Sequence, residues 1–448
     1  MESLPRPQRR DSGTARWTRR QFVSAVGGSA IAAAVFPSIR LRGADSNAVA
    51  TPTGSGRKKV VLLATEVRKY SHAQHFIDRF LEGYGWHGKH HRPPMDLVSL
   101  YVDQFPEGDL SRDRERRHGA KIYPTIAEAL MLGGSKLAVD GVVIIGEHGR
   151  YPKNEKGQTL YPRHKFFKEV IRVFESSGRA VPVFNDKHLS TDWKECVEMV
   201  ADAKRLGFPF LAGSSLPVTW RIPSTEIRLG APLQESVCVC YGGVDSYDFH
   251  GLETAQCMSE RRDGGEAGVK SVHAVRGDRI WSELSNRAQT KKLLFAALAR
   301  SHTCKAPPGQ TVSMPTIEWI RECSPNAVAY FIEHLDGFRT TMFLLNGFVL
   351  DFSYAGLARK SGKTISCQMH LPMPPRQTTL ADFFNPLVNH IEHIILTGDV
   401  PYPVERTLLT SGMTLFAMES LHRGQAVIAT PELNVPYQAR ASSAFWRA

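Results

Sequence analysis

Val181-Pro182-Val183-Phe184-Asn185-Asp186-Lys187-His188, taken with the helix pattern that opens at Asp192, decides how the chain folds. The apolar run, preceded by Gly178, has the length of a buried strand and ends abruptly in polar side chains. Asp192 and Glu195 then have capping-box spacing, and Trp193, Cys196, Val197 and Val200 recur at helical period. Lys204 and Arg205 complement the negative helix end, and Gly207 stops it. A buried strand feeding an amphipathic helix through a short polar turn is one unit of a parallel α/β sheet. Ligands of such sheets bind outside the carboxyl ends of the strands, where Asp186, Lys187 and His188 stand.

The same alternation runs upstream. Residues 59–64 (KVVLLA) read as a strand, and 71–84 as a helix with Phe76, Ile77, Phe80 and Leu81 on one face. A basic, His-rich loop at 85–94 precedes a strand at 96–101, a short charged helix, the segment 120–123 and a helix at 125–132. A strand at 139–145 and a helix at 164–175 lead to the opening stretch, and a sixth strand at 210–213 follows it. This spacing predicts a Rossmann-like parallel sheet over 58–220. Beyond residue 235 the texture changes. Strand-like runs at 236–241, 269–275, 327–332, 340–346 and 348–352 follow one another with few helices between them. Helices are expected at 251–261, 382–396 and 403–421. The fold class is therefore α/β, with a C-terminal α+β domain over 221–435 built on a mostly antiparallel sheet, and 436–448 as a tail.

A chain of 448 residues is too long for one ordinary core and fits two domains. Its net charge of +12 contains a removable part: residues 1–50 hold eight Arg and three acids, or +5, leaving +7 for the rest. Those charges are dispersed and no nucleic-acid motif accompanies them, so no nucleic-acid partner is expected. The amino end carries a twin-arginine pattern, Thr18-Arg19-Arg20-Gln21-Phe22-Val23, an Ala/Gly-rich apolar run and a small-residue cleavage site at Ala48-Val49-Ala50. The expectation is a signal peptide over 1–50, a linker over 51–57, export to the periplasm or beyond, and no membrane span after processing. Seven cysteines, without a C-x-x-C pair, predict no disulfide framework, and Cys238 and Cys240 alternate onto one face of a strand as core thiols.

Laid side by side, the strands deliver a dense polar set to their carboxyl ends: Thr65 and Glu66, Asp103, Glu147 and His148, Asn185 through His188, and Ser214 and Ser215. Buried charges need partners, so such density marks a functional cleft, although Ser190 and Asp192 are accounted for as helix caps. The second domain adds His250 and Glu253, three apart on one helical turn, a spacing at which the carboxylate would orient the ring. A polar loop at 153–159 is placed to lid the cleft.

At these residues the chain resembles the Gfo/Idh/MocA family of oxidoreductases. The resemblance is carried by Gly119-Ala120-Lys121-Ile122-Tyr123-Pro124-Thr125-Ile126-Ala127-Glu128-Ala129-Leu130, by Val139-Asp140-Gly141-Val142-Val143-Ile144, and by the ending at 420–427 with Thr430. Asp186-Lys187-His188 falls where that family has Glu-Lys-Pro, and His250-Gly251-Leu252-Glu253 falls on its His-x-x-Asp. The resemblance implies a sugar or cyclitol oxidoreductase using NAD or NADP. Lys187 would polarise a substrate hydroxyl and His250 take its proton, with Asp186 and His188 beside them. Thr65, Glu66, Arg68, Ser71, His72, Asp103, Glu147 and His148 would line the cofactor. Self-association is expected through the C-terminal sheet. The first turn departs from the pattern: 64–72 (ATEVRKYSH) holds no glycine, and Glu66 adds negative charge where phosphates belong.

Two other classes share these residues. A non-redox carbohydrate lyase, epimerase or hydrolase would use the same cleft, with a divalent metal on Glu147, His148, Asp186, His188 and His250, although their spacing matches no metal signature. A carbohydrate-binding protein without catalysis explains the missing glycines but gives Lys187 no reason to stand beside His188.

Overall fold

Five crossovers, each returning to the same sheet in the same direction, build the first half of the molecule. A computed structural model describes residues 56–310, 314–359 and 361–447. The leader and nearly all of the linker lie outside these residues. The chain begins with β1 (Lys58–Ala64), α1 (His72–Glu82), β2 (Tyr84–Trp86), β3 (Lys89–His91) and β4 (Met95–Val102). Then come α2 (Ser111–His118), β5 (Lys121–Tyr123), α3 (Ile126–Met131), β6 (Gly141–Ile145), α4 (Arg163–Ser177), β7 (Val183–Asp186), α5 (Trp193–Leu206) and β8 (Phe210–Gly213). The parallel sheet has the order β5-β4-β1-β6-β7-β8, so the order of strand addition reverses between β1 and β6 and opens a crevice at their carboxyl ends.

Local chemistry explains these elements. Val60 through Ala64 and Val142 through Ile145 have no solvent exposure, as strands covered on both faces require. The Asp192 side chain accepts from the N–H groups of Lys194 (2.7 Å) and Glu195 (3.3 Å), and Gly207 closes α5 in the left-handed conformation. Val197, counted with the apolar face, is instead exposed. The stretch expected as a loop at 85–94 contains the β2–β3 hairpin. Its turn residues His87 (φ 48°) and Gly88 (φ 70°) both take the positive φ of a type I′ turn, which His-Gly signals poorly.

The second sheet is formed by β9 (Arg221–Ile222), β10 (Leu233–Cys240), β11 (Val269–Arg276), β12 (Val328–His334), β13 (Arg339–Leu344), β14 (Phe352–Ala358), β15 (Thr364–Met369) and β16 (Val427–Ala429), in the order β16-β11-β12-β13-β10-β14-β15-β9. All its neighbours are antiparallel except β10 and β13. Two expectations are corrected. The run at 348–352 is a turn with buried Phe348 and Val349, and the strands are β14 and the unforeseen β15; short apolar runs do not distinguish the two. Helices are also more numerous than expected, with α6 (Tyr247–Ser259), α7 (Asp278–Ser285), α8 (Ala288–Leu298) and α9 (Ile317–Cys323) before the late α10 (Asn385–Thr397) and α11 (Glu405–His422).

These helices cover the sheet. Cys238, Cys240, Tyr330, Ile332 and Met342 face the core shared with α6 and α11, while Val237, Val239, Ala329, Phe331 and Phe343 face a second core under α7, α8 and α9. Helices of the chain itself pack on both faces, and the sheet's edges are β16, with Val427 exposed, and the two-residue β9, with Ile222 exposed. All seven cysteines are free thiols. The last residues do not trail away as a tail: Tyr437 and Phe445 are buried, and the Trp446 N–H donates to the Val218 carbonyl (2.8 Å). Among the described residues, no helix is long and apolar enough to cross a membrane.

Candidate active site

The carboxyl ends of β6, β7 and β8 meet the start of α6, and a cluster of buried ionisable groups forms there. Lys187 directly follows β7, is 3% exposed and takes a left-handed backbone (φ 70°). His148, just past the end of β6, does the same (φ 75°). For residues with a Cβ this conformation costs about 1–2 kcal/mol each, a local strain of the kind that gathers at functional sites. It aims the Lys187 ammonium at Nε2 of His250 on α6, with which it makes a short hydrogen bond. The ammonium also lies 3.8 Å from Glu147 Oε1 and 5.8 Å from the centre of the Tyr247 ring.

Glu147 is the hinge of the charge arrangement. Its other oxygen accepts from Arg163 Nη2 (2.9 Å), and Arg163, itself 2% exposed, also donates to His188 Nε2 (3.1 Å). Burial would raise the Glu147 pKa, but the charges of Lys187 and Arg163 override it and hold this carboxyl well below the ordinary range. His250 is held neutral by burial, then by the Lys187 charge, its pKa lying well below 6.5. Since Lys187 donates to Nε2, the ring proton sits on Nδ1, a buried atom without a partner. Burial likewise lowers His188 to about 3 and His148 to about 4.

The expected residues separate into distinct groups. Lys187, His250, Glu147 and His148 converge at the strand ends. His188 does not join their reactive edge: Nδ1 lies 3.1 Å from the Ser190 carbonyl and Nε2 takes Arg163, so both ring nitrogens are engaged. Asp186 turns towards α1, where its Oδ2 is 2.7 Å from His72 Nδ1; the His72 ring packs against His148 and Phe384. Glu253 does not orient His250, contrary to the expectation from their spacing. Its Oε2 accepts from the Ser214 N–H (2.7 Å) and hydroxyl (2.5 Å), and burial pushes its pKa up to about 7. That approach needs Gly213, where a Cβ would sit 2.5 Å from Glu253 Oε1.

The loop at 153–159 is anchored on Asp245 and on α11. Lys153 bridges Thr159, the Gln158 amide (2.9 Å) and Thr159 N–H (3.1 Å) both reach Asp245, and Lys156 pairs with Glu419 on α11. Sequence reading missed Arg163, Asp245 and Tyr247. For Arg163 a signal existed: a cation in the first turn of α4 opposes the helix dipole and therefore asks for another reason to be there.

A dinucleotide fits this edge unevenly. At the β6–β8 end, His250 Nδ1, His148 Nδ1, Asp186 Oδ1, Asn185 Oδ1 and Arg163 Nε are buried polar atoms without partners, suited to a polar ligand. At the end of β4, Asp103 stands where an acid meets a ribose, and it accepts from the hydroxyls of Tyr101 (2.7 Å) and Tyr151 (2.6 Å). The turn after β1 fits poorly. The Thr65 hydroxyl crosses the crevice to the Glu147 carbonyl (2.6 Å), and the Glu66 carboxylate lies there paired with Arg68 Nε (2.6 Å). Ser71 caps α1, accepting from Gln74 N–H (3.2 Å) and Arg68 N–H (3.1 Å), while the Gln74 side chain takes Tyr70 N–H (2.6 Å). Among the described residues, no three His, Cys, Asp or Glu side chains converge as a metal-binding set.

No protein-family model matches the chain, and no curated protein matches it in sequence. Solved structures do match in shape. GenD2 from gentamicin A biosynthesis, in complex with NAD, is 13% identical, with 84% of this chain and 98% of that chain covered and a TM-score of 0.52. Myo-inositol dehydrogenase from Lactobacillus casei, in complex with NAD(H) and myo-inositol, is 10% identical, with 83% and 96% covered and a TM-score of 0.51. The chain is thus built on the two-sheet fold of the Gfo/Idh/MocA-type dehydrogenases.

Proposed function

We propose that the protein is an exported oxidoreductase of a sugar or cyclitol. The observation that carries this reading is the buried hydrogen bond between Lys187 and His250, a cation and a neutral imidazole brought together from the end of β7 and from α6. Lys187 donates to the substrate oxygen and stabilises negative charge on it. His250, kept unprotonated by burial and by the Lys187 charge, takes the hydroxyl proton at Nε2. Glu147 offsets the Lys187 charge, and Arg163 holds Glu147 in place. A bound nicotinamide would supply hydride acceptance, and the Asp103 carboxylate, which repels a 2′-phosphate, favours NAD over NADP. The folds of GenD2 and of the inositol dehydrogenase, both solved with NAD, support the same chemistry. The twin-arginine pattern at Thr18–Val23 supports export.

The turn after β1 favours a second reading, an acid–base lyase or epimerase acting at the same pair without a dinucleotide. Its glycine-free backbone, the Thr65–Glu147 hydrogen bond and the Glu66 carboxylate all stand where a pyrophosphate would lie. Absorbance at 340 nm separates the two when folded protein is mixed with NAD or NADP and a panel of cyclitols and aldoses. The proposal expects reduction of NAD with at least one member. Consumption of a panel member without any change in absorbance overturns it.

A further inference from the structure

A groove of about 920 Å³ lies away from the strand ends, between the carboxyl end of α1, the β2–β3 hairpin, the short helix Asp382–Phe384 and the final residues. Because α1 starts at His72 beside Asp186 and runs eleven residues, its two ends, and hence the two sites, are about 16 Å apart. Three of the chain's seven tryptophans line this groove. The Trp86 and Trp446 ring centres are 4.0 Å apart, Trp220 and Trp446 are 6.2 Å apart, and His87 adds its ring 4.6 Å from Trp446, which makes one continuous aromatic wall. All three tryptophans are partly exposed, and among the described residues none of their indole N–H groups has an acceptor. The carboxylates of Asp382 and Glu82 also line the groove, both more than one-third exposed, with Asp382 3.2 Å from His370 Nε2 and Glu82 3.3 Å from His118 Nε2.

The wall is held rigidly. Trp446 is pinned through its backbone N–H to the Val218 carbonyl, and the adjacent Phe445 is buried with the Arg221 guanidinium 3.9 Å from its ring. Arg79 fixes the opposite side, donating to Asn385 Oδ1 (2.7 Å) and the Ala381 carbonyl (2.6 Å). A preformed concave site that combines flat apolar faces, edge N–H donors and carboxylate acceptors suits a ligand with the same division. A pyranose ring is such a ligand: its C–H face is apolar and its hydroxyls lie around the rim. A purely apolar partner would strip water from the Asp382 and Glu82 carboxylates without return.

We propose that this groove binds the pyranose rings of an oligo- or polysaccharide, at a site separate from the strand-end cluster and independent of the reaction performed there. The test uses the full chain titrated with cellohexaose, xylohexaose and maltohexaose, read by tryptophan fluorescence and by its quenching with acrylamide. At least one hexaose is expected to saturate the signal and shield the tryptophans. Trp446→Ala and Trp220→Ala should each weaken that binding about tenfold or more, Asp382→Asn several-fold, and His250→Ala not at all. The wild-type shielding and the milder Asp382→Asn keep the test decisive if a tryptophan variant misfolds. The proposal is overturned if no hexaose changes fluorescence or quenching at millimolar concentration. It is equally overturned if His250→Ala abolishes binding while the tryptophan variants retain it, or if sedimentation shows that the groove is buried between two copies and sugars leave it unchanged.

Discussion

Around Lys187 and His250, buried polar atoms are left without partners; around Ser71 and Gln74, the protein supplies partners of its own. The strand ends of β6 and β7, with the start of α6, leave His148 Nδ1, Asp186 Oδ1 and His250 Nδ1 open, while left-handed backbone occurs in both regions, at His148 and Lys187 and at Tyr70 (φ 65°). In the turn after β1, the N–H groups of Arg68, Tyr70, Ser71 and Gln74 each have an acceptor inside the turn, and Glu66 is paired with Arg68. Open buried groups are a cost that persists where a ligand repays it, whereas closed hydrogen bonding is what a structural turn needs. The chemical end of the site is thus kept poised, while the phosphate end is self-sufficient.

The largest expected effect breaks the comparison at its chemical end. Lys187→Ala and His250→Ala should each lower kcat by about 10²–10⁴-fold on whichever polyol is turned over, the range of a lost general acid or base. Retention of full turnover by both removes the pair from the mechanism.

Next in size is the response of the same cluster to pH, measured as stability to urea. Burial lowers His75 and His188 to about 3 and His148 to about 4, and holds His250 well below 6.5. The unfolded chain takes up protons on these four as pH drops below 6.5, whereas the folded chain does not, so stability is lost on acidification. Burial raises Glu253 to about 7 and Asp245 to about 6, and these two act in the opposite sense, because the folded chain keeps protons that the unfolded one has released. Four groups outweigh two. Unfolding free energy should fall on the order of 3 kcal/mol per pH unit near pH 5. A flat or rising profile between pH 7 and 5 contradicts the burial of neutral histidines.

The smallest effect sharpens the phosphate end. If a dinucleotide lies over the turn, Glu66→Gln removes one opposing charge and should tighten NAD binding by about tenfold, or about 1.4 kcal/mol, in a calorimetric titration. Unchanged affinity separates the turn from the cofactor.

Much of this architecture was legible in the sequence, and particular residues show why. The capping box at Asp192, the apolar period of α5 and the stop at Gly207 are local signals, so that unit was read almost to the residue. The approach of Lys187 to His250 spans 63 positions and depends on the end of β7 meeting α6, and only the resemblance placed the two together. The spacing of His250 and Glu253 misled because a helical turn brings them to one face without saying what competes for the carboxylate; Ser214 wins it. Helices α7 and α8 went unread although Leu293, Leu294, Ala297 and Leu298 recur at helical period, because so short an apolar run does not by itself distinguish helix from strand; α8 finds its buried face against β10. The Trp86–Trp220–Trp446 wall was invisible for another reason. Its members come from a hairpin, a connection and the chain's last residues, which pattern alone leaves as a tail.

The central claim is that the Lys187–His250 pair serves an oxidation rather than an acid–base rearrangement. It is tested most directly with a polyol deuterated at its alcohol carbons, incubated with NAD and the folded chain, and followed by mass spectrometry. Deuterium recovered on the nicotinamide, and lost from it in Lys187→Ala and His250→Ala, is the predicted result. Deuterium exchanged into water, or retained in a rearranged product with NAD untouched, contradicts it.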